Sequence, residues 1–278
     1  MQVREIIAKL LEDYSVGDVR SALIRHWARA NQVALDDVLR GSATAAFASA
    51  GTGRECDAIL RYLRHSVPRL TLKDLEMAFE SLFGEKTRQA HGTVYTPSYV
   101  IDYLVANALD MTCKNRALLP VVCDPSCGSG GFLIRAAEIL RRDYGVCPER
   151  SLSQCVVGID VDPQAIKHAR CLMELYMVSR GIRLPGPSVC LLTRDTLLSE
   201  PADLWEAAGV ERGFDVVATN PPYVKLQNLE IVHRDRLKRR YSGFAKGSYS
   251  LALLFLIAGH KLLAAGGCLA MITQNNLF

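Results

Sequence analysis

No apolar run in the 278 residues approaches the roughly 20 needed to span a bilayer. The longest candidate, Leu251 to Gly259, has the length of a buried helix core. The opening Met-Gln-Val-Arg-Glu carries no basic stretch followed by an apolar one, so no secretory signal is expected. Aromatic residues are sparse at 7%, and the excess of 33 Lys and Arg over 29 Asp and Glu gives a net charge of +4. That bias is too small to identify a nucleic-acid partner. Disorder is excluded from the other direction, because 49% of the residues are hydrophobic. The length suits one large domain, or one domain with an appendage.

Cysteine is present but unpatterned. The 9 cysteines are odd in number and scattered, which points to free thiols in a reducing cytoplasm. Cys123 and Cys127 form the closest pair. With no second Cys/His pair at zinc-like spacing, a metal site is not expected. The 6 histidines are dispersed and read as surface or satisfied core residues.

Residues 1–88 read as helical, with Val3, Ile6, Ile7, Leu10, Leu11 and then Val19, Leu23, Trp27, Ala30 at helical spacing. Further helices are expected near 55–66 and 72–83, the latter opened near Thr71, with a loop over 48–53. Nothing in this region carries a chemical motif, and a helical bundle or cap with solvated faces is the expectation.

From residue 89 the pattern changes. Runs of strand length, Leu118–Cys123, Cys155–Ile159, Ser188–Leu192, Phe214–Ala218 and Cys268–Thr273, alternate with helical periods over 131–143, 163–180 and 250–263. Such alternation predicts an α/β fold with a mainly parallel sheet covered by helices on both faces. Ligands of such sheets bind at the carboxyl ends of the strands, so the residues found there are the candidates.

The first strand runs into Asp124-Pro-Ser-Cys-Gly-Ser-Gly-Gly-Phe132. Glycines permit a tight turn and close approach of a ligand to the backbone, and the following helix start offers unpaired N–H groups to a phosphate or carboxylate. The spacing matches neither the Walker loop nor Gly-x-Gly-x-x-Gly. The second strand ends in Gly158-Ile-Asp-Val-Asp-Pro163. Asp162 and Pro163 read as a helix N-cap and first helical residue, and Gly181 as the residue closing that helix. Asp160, placed before the cap, has no such explanation. An acid on the second strand after a glycine loop on the first suits ribose hydroxyls. Asp195, in Thr193-Arg-Asp-Thr196, is either an acceptor for an adenine amine or a turn aspartate.

The fourth strand ends in Asn220-Pro-Pro-Tyr223. Pro221 and Pro222 fix φ and remove two N–H donors, and Asn220 is pushed toward extended geometry. The result is a rigid corner presenting the Asn220 side-chain oxygen and the Pro221 carbonyl, two acceptors that together grip an –NH2 group. Tyr223 adds a flat face for stacking. An aromatic amine is a poor nucleophile because its lone pair is delocalised into the ring. Two acceptors favour a more tetrahedral nitrogen and stabilise the positive charge that develops as it attacks. In-line displacement on an activated methyl group then needs positioning more than a strong base. Upstream, in Gly92-Thr-Val-Tyr-Thr-Pro97, Thr96 and Pro97 read as a helix start, while Tyr95 is left to line a pocket.

These segments, in this order, resemble the gamma-class amino-methyltransferases of DNA, in particular the adenine-N6-specific enzymes of restriction–modification systems. The resemblance covers roughly residues 89–278. It implies a Rossmann-like, S-adenosylmethionine-dependent methyltransferase sheet over 89–278, with 1–88 a helical N-terminal region. It implies S-adenosylmethionine as cofactor, its methionine end surrounded by Tyr95, Thr96, Asp124, Pro125, Cys127, Gly128 and Gly130. Asp160 would hold the ribose hydroxyls and Asp195 the cofactor adenine amine. Asn220 and Pro221 would accept from the target amine on the corner that Pro222 stiffens, with Tyr223 stacked on a base flipped out of double-stranded DNA. Cytosine-N4 relatives commonly begin this motif with serine, so adenine is the expected target.

A basic segment follows the corner. Lys225, Arg234, Arg236, Lys238, Arg239, Arg240 and Lys246 stand against Glu230 and Asp235, a local charge of +5. It reads as a phosphate-contacting loop, the alternative being a solvated helix face. The family extends well past Leu277 with further strands, an aromatic that clamps the flipped base, and a target-recognition domain. The resemblance therefore implies a catalytic domain truncated at its C-terminal side, completed by a missing half or a specificity subunit. Two alternatives remain at this level: methylation of RNA or of a protein glutamine, and a non-catalytic fragment or subunit that needs a partner.

Overall fold

The structure is a computed structural model that describes residues 3–51, 53–82, 96–113, 119–244 and 249–273. The chain divides into two compact units. One comprises Met1–Gly84, Ser129–Gly131 and Lys167–Ser188; the other comprises Glu85–Gly128, Phe132–Ile166 and Val189–Phe278. The domain boundary expected at 88/89 lies outside the described residues.

The first unit is helical: α1 (Val3–Asp13), α2 (Val16–Ala30), α3 (Leu35–Val38), α4 (Ser42–Ser49), α5 (Arg54–Ser66) and α6 (Leu72–Leu82). Its core takes Ile6, Ile7, Leu23 and Trp27 from the apolar stripe expected over α1 and α2 and adds Ile59, Leu63, Leu75 and Phe79, all essentially inaccessible to solvent. Thr71 opens α6 with a reciprocal cap. Its hydroxyl accepts from the Asp74 N–H at 3.1 Å, and its own N–H donates to the Asp74 carboxylate at 2.8 Å. The loop expected over 48–53 starts later, because Ala48 and Ser49 complete α4. The buried Ser21 hydroxyl, on α2, lies 2.6 Å from the Ala48 carbonyl and 2.7 Å from that of Gly51. Its one hydrogen serves one of these carbonyls, and Arg25 Nη2 donates to that of Ala48 at 3.1 Å, so the end of α4 is satisfied from α2. Glu174 plays the mirror role at the start of α4, accepting from the Ala43 and Thr44 N–H groups. His168 is a core histidine. Its ring lies 5.2 Å from that of Phe47 and 5.1 Å from that of Phe79. Burial, then the nearby Arg20, hold its imidazole down to about 3, so it is neutral at physiological pH.

The second unit holds the sheet: β1 (Val122–Asp124), β2 (Val156–Asp160), β3 (Cys190–Thr193), β4 (Phe214–Thr219) and β5 (Leu263–Met271). All neighbouring strands are parallel, in the order β3-β2-β1-β4-β5. Each strand falls within one or two residues of its expected span except β1, which is shorter, and β5, which starts five residues earlier. A register irregularity between β4 and β5 at Phe214/Val216 accompanies that longer β5. The connections are helical: α7 (Ser98–Cys113) precedes β1, and α8 (Gly131–Tyr144) and α9 (Pro148–Gln154) follow it. Then come α10 (Pro163–Ser179) after β2 and α11 (Pro201–Ala208) after β3. A 3₁₀ turn (Leu226–Asn228), α12 (Ile231–Arg240) and α13 (Leu251–Leu262) link β4 to β5. Asp162 caps α10 through the Gln164 N–H at 2.8 Å, and Gly181, with φ of 77°, closes it. Cys123, Val157, Ile159, Phe214, Val217 and Leu262 pack as one cluster under the sheet, at about 1.5–3 kcal/mol for each fully buried large side chain. No helix among the described residues is long and apolar enough to cross a membrane.

Candidate active site at the strand ends

The chain leaves β1 in one direction, toward β2 and β3, and later returns to fill β4 and β5 on its other side. The order therefore reverses between β1 and β4, and the crevice beyond their carboxyl ends is where such sheets bind ligands. The last residue paired between these two strands is Cys123 with Val217. Beyond it the backbones part, and side chains bridge the gap. The Thr219 hydroxyl donates to Asp124 Oδ1 at 2.7 Å. The Ser126 N–H donates to the same oxygen at 3.1 Å. The Ser126 and Thr219 hydroxyl oxygens are 2.8 Å apart. When Asp124 is ionised the Thr219 hydrogen is committed to the carboxylate, and Ser126 is then the donor of that pair. Asp124 and Thr219 are both buried.

Burial pushes the Asp124 carboxyl up to about 7, against the opposing pull of its bonds from Thr219 and Ser126. The folded protein thus holds a proton there more tightly than the unfolded chain. Between the ordinary aspartate value near 3.8 and about 7, stability contributed by this group falls as pH rises. Asp124→Asn keeps an acceptor for Thr219 and removes the titration. The variant is therefore expected to gain melting temperature on the wild type between pH 5 and 8. Parallel melting curves for the two proteins across that range would contradict this.

The loop after β1 is shaped to lie flat on β2. The Cys127 N–H donates to the Ile159 carbonyl at 2.9 Å, and the Cys127 thiol turns inward, its pKa raised by burial. A Cβ on Gly158 would sit 2.6 Å from Leu133 and 3.0 Å from Cys127 Sγ. That glycine is what lets the loop approach. At the crest of the loop, Gly128 has φ of 52°, and a Cβ there would meet nothing within 4 Å. Its N–H donates to Asp160 Oδ2 at 2.8 Å, while Asp160 Oδ1 accepts from the Asp162 N–H at 2.9 Å. Asp160 is partly exposed at the tip of β2. A carboxylate held by two backbone donors, beside an open glycine crest, fits a vicinal diol and its neighbouring polar chain.

Asn220 sits at the carboxyl end of β4, and two side chains fix its amide. Its Nδ2 donates to Thr96 Oγ1 at 2.8 Å, and the Tyr223 hydroxyl donates to its Oδ1 at 2.6 Å. Thr96 is buried, just before α7; Pro221 is buried, and Pro222 and Tyr223 are partly so. The orientation presents the Asn220 oxygen on the Tyr223 side. Tyr95 lies outside the described residues.

Asp195 is drawn into its turn. Oδ1 accepts from the Leu197 N–H at 2.9 Å and the Leu198 N–H at 3.2 Å, and Oδ2 lies 3.0 Å from His233 Nε2. Oδ1 of this residue is thus bonded within its own turn. Next to it, the Thr196 hydroxyl donates to the buried Pro125 carbonyl at 2.7 Å, joining the loops after β1 and β3.

The segment after Tyr223 is an excursion stapled at its base. Lys225 bridges Ser250 in antiparallel fashion, and the Leu226 and Leu251 N–H groups donate to the Tyr249 and Val224 carbonyls. Helix α12 stands on it, anchored by buried Leu237 and Tyr241. Of the seven basic residues, Arg240 is half-buried and paired. It donates to Glu200 Oε1 and the Ser199 carbonyl, both at 2.6 Å. Arg234 lies 3.7 Å from Asp235. Lys225, Arg236, Lys238 and Arg239 are exposed; Lys246 lies outside the described residues. The structure therefore divides the described basic residues into four that are exposed and two, Arg234 and Arg240, that are half-buried and stand beside carboxylates.

Reading the sequence alone overlooks three residues of this site: Ser126, Thr196 and Thr219. Their signal was present as hydroxyl residues one or two positions from strand-end motifs. What they bond to depends on which strands are neighbours.

A five-stranded parallel sheet in this order, with a glycine loop on the central strand and an acid on the next, is the fold of class I S-adenosylmethionine-dependent methyltransferases. A protein assigned to that class from Listeria monocytogenes superposes at a TM-score of 0.52 with 17% identity, over 99% of this chain and 75% of that one. The type IIG restriction endonuclease BpuSI superposes at 0.61 with 14% identity, over 89% and 30%. Residues 154–278 match the Eco57I restriction-modification methylase family. The type II methyltransferase M.VspI of Vibrio sp. (strain 343) is 26% identical over 204 residues, 72% of this chain and 41% of that protein. The chain is thus similar in sequence to restriction–modification methyltransferases, and it spans less than half the length of the curated relatives it matches.

Proposed function

We propose that this chain carries the cofactor-binding and catalytic core of an adenine-N6-specific DNA methyltransferase. The observation that supports this reading best is the Asn220 corner. It is an oriented amide followed by two prolines and an aromatic ring, standing at the sheet's reversal point beside the loop and acid that fit a nucleoside-bearing cofactor. Bound there, S-adenosylmethionine supplies an electrophilic methyl group. Asp160 orients it by its ribose hydroxyls, the backbone of the loop after β1 faces its polar chain, and the partly exposed Tyr223 ring offers a face to the target base. Asn220 Oδ1 and the Pro221 carbonyl accept from the target amine and stabilise the charge that grows on its nitrogen. Asp195 approaches the cofactor adenine only by adding a third donor to a carboxylate that is already bonded. The exposed Lys225, Arg236, Lys238 and Arg239 contact phosphates of the duplex from which the base is extruded.

The test is transfer of tritium from methyl-labelled S-adenosylmethionine to unmethylated bacterial DNA, followed by nucleoside analysis. Label in N6-methyladenine is the expected result. Label in N4-methylcytosine corrects the target base. Label confined to RNA or to protein glutamine overturns DNA as the substrate.

A further inference from the structure

The Asn220 corner faces a mechanical problem. Pro221 and Pro222 have no N–H, so no ladder can carry β4 past Thr219. On the β5 side the strand end is held by backbone, through the Ile272 N–H and the Thr219 carbonyl at 3.0 Å. On the β1 side the last backbone pair is two residues back, at Val217. The link there is the side-chain ring of Asp124, Ser126 and Thr219. This ring joins the residue that enters the corner to the residues that begin the glycine loop. The first of those strand ends carries the proposed amine acceptors and the second the proposed cofactor loop.

We propose that Thr219, assisted by Ser126, is a positioning residue that holds the amine-accepting corner in register with the cofactor loop. The inference rests on the methyl-transfer reading above. Threonine is suited to the task. Its branched Cβ restricts χ1, so the hydroxyl is aimed before the bond forms. Its position at complete burial excludes water that would compete for Asp124. Two reacting groups on separate strand ends must meet within a fraction of an ångström, and misplacement by about 1 Å costs on the order of 100-fold in rate.

The experiment compares Thr219→Val, Thr219→Ser and Ser126→Ala in the intact protein. Three readouts are taken: cofactor affinity by calorimetry, kcat for labelled methyl transfer to DNA, and amide hydrogen exchange over 220–226. For Thr219→Val we expect a fall in kcat of roughly 10- to 100-fold, a cofactor Kd within about threefold of the wild type, and faster exchange over 220–226. Thr219→Ser keeps the donor and is expected to restore most of the rate. Ser126→Ala, which spares the Thr219–Asp124 bond, is expected to show a smaller loss of the same kind, and it serves as the test if the valine variant does not fold. A valine variant with wild-type kcat and wild-type exchange overturns the proposal. So does a serine variant as impaired as the valine one. Failure of the underlying reading looks different: the wild type would methylate no DNA, while the exchange experiment, which needs no DNA, would still report whether Thr219 holds the corner.

Discussion

Asn220→Ala is expected to reduce methyl transfer by at least roughly 100- to 1,000-fold, the scale on which losing one preorganised partner of a developing charge is felt. Cofactor affinity should stay close to the wild type. The reason for the split is geometric. The Asn220 amide is held by Thr96 and Tyr223, whereas the groups fitted to the cofactor are Asp160 and the loop it braces. Alanine leaves the two prolines in place, so the corner keeps its shape and loses one acceptor. It also leaves the Tyr223 hydroxyl without its acceptor, at a cost to stability of about 1–3 kcal/mol where that group stays dry. Single-turnover rates and calorimetric titration on the same preparation check the result. Loss of cofactor binding in parallel with rate would show that Asn220 belongs to the cofactor site, and the assigned role would fail.

Asp160→Ala is expected to do the reverse, weakening S-adenosylmethionine binding by roughly 10- to 150-fold. That corresponds to the 1.5–3 kcal/mol of hydrogen bonds to a charged group. Two effects combine here. The variant loses the acceptor proposed for the ribose, and it frees the Gly128 N–H, which Asp160 now holds at 2.8 Å. The crest of the loop would then lose its brace to β2. Asp160→Asn lacks the charge and keeps one acceptor oxygen, enough for the Gly128 N–H or the Asp162 N–H but not for both. It should fall between the wild type and alanine. An alanine variant that binds cofactor as tightly as the wild type would remove Asp160 from the site.

Opposite shifts at two positions show how far local sequence reaches. Val156–Asp160 and Phe214–Thr219 are strands because they are short, apolar and bounded by turn residues, and their expected spans lie close to those observed. Asp162, Pro163 and Gly181 delimit α10 for reasons confined to a few neighbouring residues. Rules of that range can be read from sequence. Leu263 to Gly267 carries no strand pattern, since Ala264, Ala265, Gly266 and Gly267 have weak strand preference; Leu263 pairs with Phe214 and the next pair is Cys268 with Val216, so these four residues fall in the register irregularity of the β4–β5 pair. Ala48 and Ser49 fall in the stretch expected as loop, yet they end α4, where the buried Ser21 of α2 bonds the Ala48 carbonyl.

The sequence by itself determined the parts of this protein whose cause is local. These are the alternation of strand and helix, the turn chemistry at each strand end, and the acceptor geometry imposed by Asn-Pro-Pro. It also contained the resemblance to restriction–modification methyltransferases, which the family match over 154–278 and the methyltransferase relatives support. Tertiary structure decided which strand ends are neighbours, and with that the partners of every polar side chain between them. Asp124 is distant from Thr219 along the chain, yet their oxygens are 2.7 Å apart. Asp195 accepts from the N–H groups of its own turn, and Arg240 donates to Glu200 across 40 residues of sequence. The physical reason is the same in each case. A buried or half-buried polar group must find a partner, and which partner is in reach is a property of strand order.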